Sequence, residues 1–194
     1  MKKIEKQLSS YLPKNDDEAQ SKKLMLKDLK IYGNELLYRT CEKAHFTSSS
    51  IILNKDMDYV LMAHHNIYQT WAWIGGHNDG ESDFLKVALQ EAKEETGLKD
   101  ILVIDSNIIS IEILKVKKHI KNNKFVPEHL HYNISFVFIA SMDDEIRPKI
   151  DENSAVSWIK IDDLHQYTNE PHMYHIYLNI INRAKLFKKS IRTK

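Results

Sequence analysis

Three acidic residues near the end of one helical stretch, Glu91, Glu94 and Glu95, have the types and spacing for cation chemistry. From Asp83 to Gly97 the sequence DFLKVALQEAKEETG reads as a helix, with Asp83 as N-cap or first-turn residue and Gly97 as the left-handed residue that stops it. On a wheel of 3.6 residues per turn, Phe84, Leu85, Ala88, Leu89 and Ala92 form an apolar arc, and Lys86, Gln90 and Lys93 lie opposite. The three glutamates fall between, within an arc of roughly 100° that begins at the edge of the buried face. Like charges three and four residues apart repel by ~0.2–0.5 kcal/mol per pair, and acids in a last helical turn oppose the helix dipole. A hard divalent cation is the simplest compensation. Mg²⁺ prefers carboxylate oxygens and leaves room in its shell for a substrate phosphate.

The elements ahead of this helix must bring it to its partners. The apolar run Trp71 to Ile74 predicts a strand that ends at Gly75-Gly76, and Asn78-Asp79-Gly80 is turn chemistry, since these residues tolerate positive φ or bond their own backbone. Trp71 and Trp73 share one face of that strand, as a base-stacking platform or as ordinary sheet packing. His77 follows the glycines directly.

Residues 76–98 resemble the Nudix box, G-x5-E-x7-R-E-U-x-E-E-x-G-U with U aliphatic. Gly76, Glu91, Ala92, Glu94, Glu95, Gly97 and Leu98 match its G, E, U, E, E, G and U. Ser82 stands in the place of the first Glu, next to Glu81, and Gln90 replaces the Arg, which in the family supports the glutamates as an ion pair. The resemblance implies an α/β/α Nudix sandwich with a mixed β-sheet from about Phe46 to Leu186. It implies that Glu91, Glu94 and Glu95 are metal ligands and catalytic residues, holding Mg²⁺ or, in its place, Mn²⁺. Gly75, Gly76, His77, Trp73 and His131 become candidates for substrate binding. The base is one of the box glutamates or a loop acid, Glu128 or Glu152. The implied reaction is hydrolysis of the diphosphate bond in a nucleoside diphosphate linked to another moiety, or in a related nucleotide. Ser82 and Gln90 motivate the alternative, a Nudix-fold nucleotide-binding module with weak or no turnover.

A chain of 194 residues, 42% hydrophobic, fits one domain with a core and a terminal appendage. The net charge of +1, with both signs spread throughout, gives no reason to expect nucleic acid or a membrane surface as partner. One cysteine excludes an internal disulfide and a thiolate zinc cluster, and no N-terminal apolar segment is long enough to span a membrane, so a cytoplasmic location is expected.

Residues 1–43 read as a helical extension and 44–194 as the Nudix domain. In the extension Ile4, Leu8, Tyr11 and Leu12 recur at helical spacing up to Pro13. Asn15 caps an acidic first turn that leads to Leu24, Met25, Leu29 and Tyr32, and a third short helical segment is expected through Glu35 to Glu42. Packing, a homodimer interface and a share of the substrate pocket are the roles open to it.

Phe46 to Leu53 and Tyr59 to Ala63 predict a hairpin, and Ile101 to Asp105 and Ile108 to Val116 two further strands, with a hairpin tip in Lys117 to Lys124. HLHYNISFVFIA, His129 to Ala140, becomes a continuous apolar run, as expected of a central strand covered on both faces. His129 and His131 share one side of it, facing substrate or water. Ser154 to Ile161 is another strand, and Pro171 to Lys188 an amphipathic core helix.

Overall fold

The structure, a computed structural model, describes residues 1–121 and 124–192. Four α-helices, α1 (Lys2–Ser10), α2 (Asp16–Tyr32), α3 (Phe84–Thr96) and α4 (Pro171–Arg192), enclose a mixed sheet. Its strands are β1 (Ala44–Leu53), β2 (Tyr59–His65), β3 (Thr70–Ala72), β4 (Ile74–His77), β5 (Leu102–Val103), β6 (Ser110–Val116), β9 (His129–Ile139) and β10 (Asn153–Lys160). β7 (His119–Lys121) and β8 (Lys124–Val126) pair separately, and the tip expected between them, 122–123, lies outside the described residues. The main sheet runs β10-β2-β1-β9-β5, with β3 on β2, β4 on β1 and β6 on β9.

β1 and β9 form the centre and run parallel from Ala44↔Leu130 to Leu53↔Ile139, while the other pairs are antiparallel. Alternation along β1 sorts its side chains between two cores. Phe46 and Ile52 join Phe84, Ala88 and Tyr132 under α1, α2 and α3, whereas Ile51 and Leu53 join Met62, Tyr177, Ile180 and Ala184 under α4. This is an α/β/α sandwich. No helix among the described residues is long and apolar enough to cross a membrane.

The extension is built into the sandwich. Ile4, Leu8, Met25 and Leu29 are buried in the first core. Asn15 caps α2 through its side-chain oxygen, which accepts from the Glu18 N–H at 2.8 Å. Glu18, itself buried, accepts from the Tyr11 hydroxyl at 2.6 Å and pairs with Arg183 on α4. A buried ion pair adds little net stability but strongly penalises loss of one partner, so it fixes α2 against α4.

Two expectations are corrected. The segment Glu35 to Glu42 is not a helix of that length: a 3₁₀ turn, Gly33–Leu37, ends where Tyr38 takes extended angles to reach β1. Gly75-Gly76 does not end a strand but lies inside β4, paired with Ser49 and Ser48. The run from Thr70 breaks at Trp73, where the chain leaves β2 for β1. The turn comes later, at Asp79 and Gly80, with φ of 44° and 97°.

Candidate active site

Capping at both ends places α3 beside β4. The Asp83 side chain accepts from the Lys86 N–H at 3.2 Å, and Gly97, at φ 73°, closes the helix with an N–H bond to the Lys93 carbonyl at 2.9 Å. The last turn then meets the glycines of β4. The Gly75 N–H donates to Glu95 Oε1 at 2.9 Å, and Asn153 Nδ2, from the start of β10, donates to Oε2 at 2.7 Å. A Cβ on Gly76 would lie 2.4 Å from the Glu91 carboxylate carbon, so only glycine lets that carboxylate rest against the strand.

Glu91, Glu95 and Glu152 each present an oxygen within 4.8 Å of the other two. Glu95 is buried (4% exposed), Glu91 half-buried and Glu152 exposed, so the group grades from the interior to the surface. Burial pushes Glu95 up to about 7, against the bonds from Asn153 and Gly75. Burial also lifts Glu91 to about 6, with Lys149 pulling it back and Glu94 and Glu152 adding to the rise. Oxygen donors alone, crowded at a cost to their ionisation, fit a hard divalent cation such as Mg²⁺ or Mn²⁺.

The other predicted residues separate. Glu94 stands at the rim, its side chain 43% exposed, accepting from Gln90 Nε2 at 2.8 Å and lying 3.7 Å from Lys149 Nζ. Lys149 also pairs with Glu152 at 3.0 Å. Glu128 pairs with Lys115 at 3.1 Å and is not in the carboxylate group. Glu81 is drawn to the helix start: its bond from Lys86, at 2.6 Å, together with that from the Asp83 N–H holds it at about 2. The Trp73 ring packs against Tyr177 of α4 at 5.4 Å between centroids.

His77 and His131 meet in a second cluster. Gly76 faces Glu91, so its neighbour His77 faces the other side of the sheet. There it joins His45 of β1 and His129 and His131 of β9, with neighbouring rings 4.8–5.1 Å apart between centroids. Burial, followed by the neighbouring histidines, depresses His131 to about 2; burial and His129 depress His45 to about 4.

Sequence reasoning did not single out Asn153, Lys149 or His45. Asn153 is adjacent to a candidate, Glu152, which was its one available signal. His45 carries no local signal, because its register against His131 comes from the parallel pairing of β1 with β9. Two cavities, of about 400 and 480 Å³, lie elsewhere, where the extension meets β6, α4 and residues 104–109.

A family model described as the NUDIX domain matches residues 44–180. Among curated proteins none matches. Solved structures share the fold. The Escherichia coli dihydroneopterin triphosphate pyrophosphohydrolase is similar at TM-score 0.53 and 14% identity, over 71% of this chain and 95% of that one. A MutT protein from Methanosarcina mazei is similar at TM-score 0.52 and 14% identity, over 74% and 96%. RenU, a Nudix hydrolase from M. smegmatis, is similar at TM-score 0.51 and 15% identity, over 76% and 87%. The matched segment covers more than half of the chain and includes both α3 and Glu152, and the chain therefore belongs to the Nudix family of hydrolases, which act on nucleoside diphosphates linked to another moiety.

Proposed function

We propose that this chain hydrolyses the diphosphate bond of a nucleoside diphosphate linked to another moiety, or of a related nucleotide, with Mg²⁺ as its cation and Mn²⁺ able to replace it. The observation that carries this reading is the convergence of Glu91, Glu95 and Glu152 beside a strand glycine that leaves room for their oxygens. Adjacent phosphates repel an attacking water, so the reaction needs positive charge on the oxygens and a base for the proton. A bound Mg²⁺ supplies the charge neutralisation.

Glu91 and Glu95 are the assigned ligands, with Glu95 held in orientation by Gly75 and Asn153. Glu152, on the solvent side of the group, is the assigned base: it takes a proton from water as the water oxygen bonds to phosphorus and the bridging P–O bond breaks. The leaving phosphate departs with the bridging oxygen, giving two phosphorylated products. Glu94 is assigned to holding Lys149 at the rim. Gly75 and Gly76 border the substrate, whereas Trp73, packed on Tyr177 of α4, lies on the other side of the sheet. Residues 44–194 are assigned as the catalytic domain and 1–43 as an extension with a packing role, which its buried Ile4, Leu8, Met25 and Leu29 support.

The test is a panel of dinucleotides, nucleotide sugars and nucleoside triphosphates, assayed for product with Mg²⁺ and with chelator, beside Glu95→Gln. Mg²⁺-dependent product from at least one class, abolished by chelator and by the substitution, is expected. No Mg²⁺-dependent product from any class would overturn the hydrolase reading in favour of a nucleotide-binding module.

A further inference from the structure

The histidines on the far face of β4 have no part in the hydrolysis as assigned above. Three strands supply it: β1 gives His45, β4 gives His77, and β9 gives His129 and His131. Ring nitrogens of His45, His77 and His131 lie within 4.8 Å of one another. His129 Nε2 lies 3.2 Å from His131 Nε2. Two nitrogens bonded to one tetrahedral ion at 2.0–2.1 Å stand about 3.3 Å apart, so that pair already has the spacing of two ligands.

The hydrogen bonds behind the rings decide which nitrogens face inward. His129 Nδ1 donates to the Pro127 carbonyl at 2.8 Å, and His45 Nδ1 faces the Cys41 carbonyl at 3.5 Å, where only a donor is favourable. Each neutral ring then carries its lone pair on Nε2; that of His129 accepts from the His131 Nε2–H, a proton that a bound metal would displace to Nδ1. A ring N–H held by a backbone carbonyl is the arrangement that orients metal-ligating histidines. His45 is 4% exposed, and its Nε2 has no hydrogen-bond partner. An orphaned buried acceptor of this kind costs the fold unless something binds it. The nearby Arg39 adds little opposing charge, because Asp79 holds it in a two-pronged ion pair at 2.7–3.2 Å.

We propose that His45, His77 and His131, with His129 closing the fourth position, bind a transition-metal ion of the Zn²⁺ class. Imidazole nitrogens suit Zn²⁺, Cu²⁺, Ni²⁺ and iron, whereas Mg²⁺ and Mn²⁺ prefer carboxylate oxygens, so the two clusters select different ions. The bound ion ties β1, β4 and β9 together at one end of the sheet. The site stands independently of the hydrolytic reading.

The experiment uses the full chain, stripped with chelator and dialysed, and titrates it with Zn²⁺ by calorimetry and with Co²⁺ by visible absorption. Wild type, Glu95→Gln, His77→Gln and His131→Gln are compared, with folding of each checked by circular dichroism without metal. His77 is half-buried, so its substitution keeps the test open if His131→Gln does not fold. One Zn²⁺ per chain is expected in wild type and in Glu95→Gln, with the visible bands of tetrahedral Co²⁺. In His77→Gln the affinity falls at least ~10-fold and those bands weaken. Zn²⁺ at about 100 times its dissociation constant raises the wild-type melting temperature by roughly 5–10 °C. Three outcomes overturn the proposal: no Zn²⁺ binding at micromolar concentration, binding lost in Glu95→Gln, or binding indifferent to both histidine substitutions. The last would leave the rings as a neutral hydrogen-bonded cluster.

Discussion

The carboxylate and histidine clusters occupy opposite faces of one short strand, and adjacent residues of β4 serve them: Gly76 makes room for Glu91, and His77 turns the other way. Both bury ionisable groups together, and both are held from behind by backbone bonds. They differ in donor and origin. The carboxylates are oxygen donors, two of them from one helix turn; the histidines are nitrogen donors from three strands. Burial works on them in opposite directions, raising the acids and lowering the imidazoles, because in each case it disfavours the charged form. Local spacing brings Glu91 and Glu95 together and leaves only Glu152 to tertiary structure, whereas the histidine cluster depends on strand pairing throughout.

The largest effect is expected from removing charge on one side. Glu95→Gln retains the shape and an acceptor for Gly75 but loses the negative charge. The turnover of whichever substrate the panel identifies is expected to fall roughly 10²–10⁴-fold. The metal-free melting temperature should hold or rise, since the buried carboxylate is a burden to the fold. An equal drop in stability would make Glu95 a structural residue. Gly76→Ala is expected to act more weakly, costing activity about 10–100-fold, because the new Cβ must push the Glu91 carboxylate aside from 2.4 Å. Wild-type rates in Gly76→Ala would remove Glu91 from the site.

Acidity sharpens the contrast at a scale of several degrees in melting temperature. In the chelated protein Glu95 has its folded value near 7, above its unfolded 4.5, so the folded state binds more protons in that window. Its contribution therefore destabilises progressively as pH rises from 4.5 to 7. His45 has a folded value near 4, below its unfolded 6.5, so the unfolded state binds more protons between those values. Its contribution is full above 6.5 and is lost as pH falls toward 4. Glu91, raised to about 6, acts with Glu95, and His131, lowered to about 2, acts with His45, so the two sets of slopes oppose each other and partly cancel in wild type. In Glu95→Gln the histidine slope should dominate between pH 4.5 and 6.5, with the melting temperature rising by about 5 °C. A profile identical to wild type would refute the opposition.

What the sequence made legible follows the same division. The span of α3 was readable because its caps, Asp83 and Gly97, and its apolar arc are all local. That Glu91 and Glu95 stand together was readable because positions four apart share a helix face. Glu94 shares that turn in sequence but leans to the rim toward Lys149, and spacing does not resolve such a difference of rotation. The interior place of Gly75 and Gly76 in β4 was misread as a strand end. Two glycines together resemble a turn, and only the clash their Cβ atoms would make with Ser49 and Glu91 explains them. His45 stood 86 residues from His131 and entered no motif; the parallel register of β1 and β9 put them side by side.

The smallest expected effect concerns how Lys149 bears on the carboxylate cluster's affinity for a cation. Lys149 Nζ lies 3.0 Å from Glu152 and 3.7 Å from Glu94, and it also draws Glu91 down, so a resident ammonium partly neutralises the carboxylates. Such an arrangement competes with Mg²⁺, since the ion gains less from acids already partly neutralised. Half-exposed ion pairs are worth ~0.2–1 kcal/mol, which sets the size of the change. Lys149→Gln is expected to lower the Mg²⁺ concentration at half-maximal activity about two- to fivefold. The histidine cluster is supplied by β1, β4 and β9, and Lys149 pairs with Glu94 and Glu152, so the cluster's Zn²⁺ affinity should not respond to the substitution. If Lys149→Gln instead raises the KM for substrate and leaves the Mg²⁺ dependence unchanged, the ammonium serves the substrate phosphates and the competition argument fails.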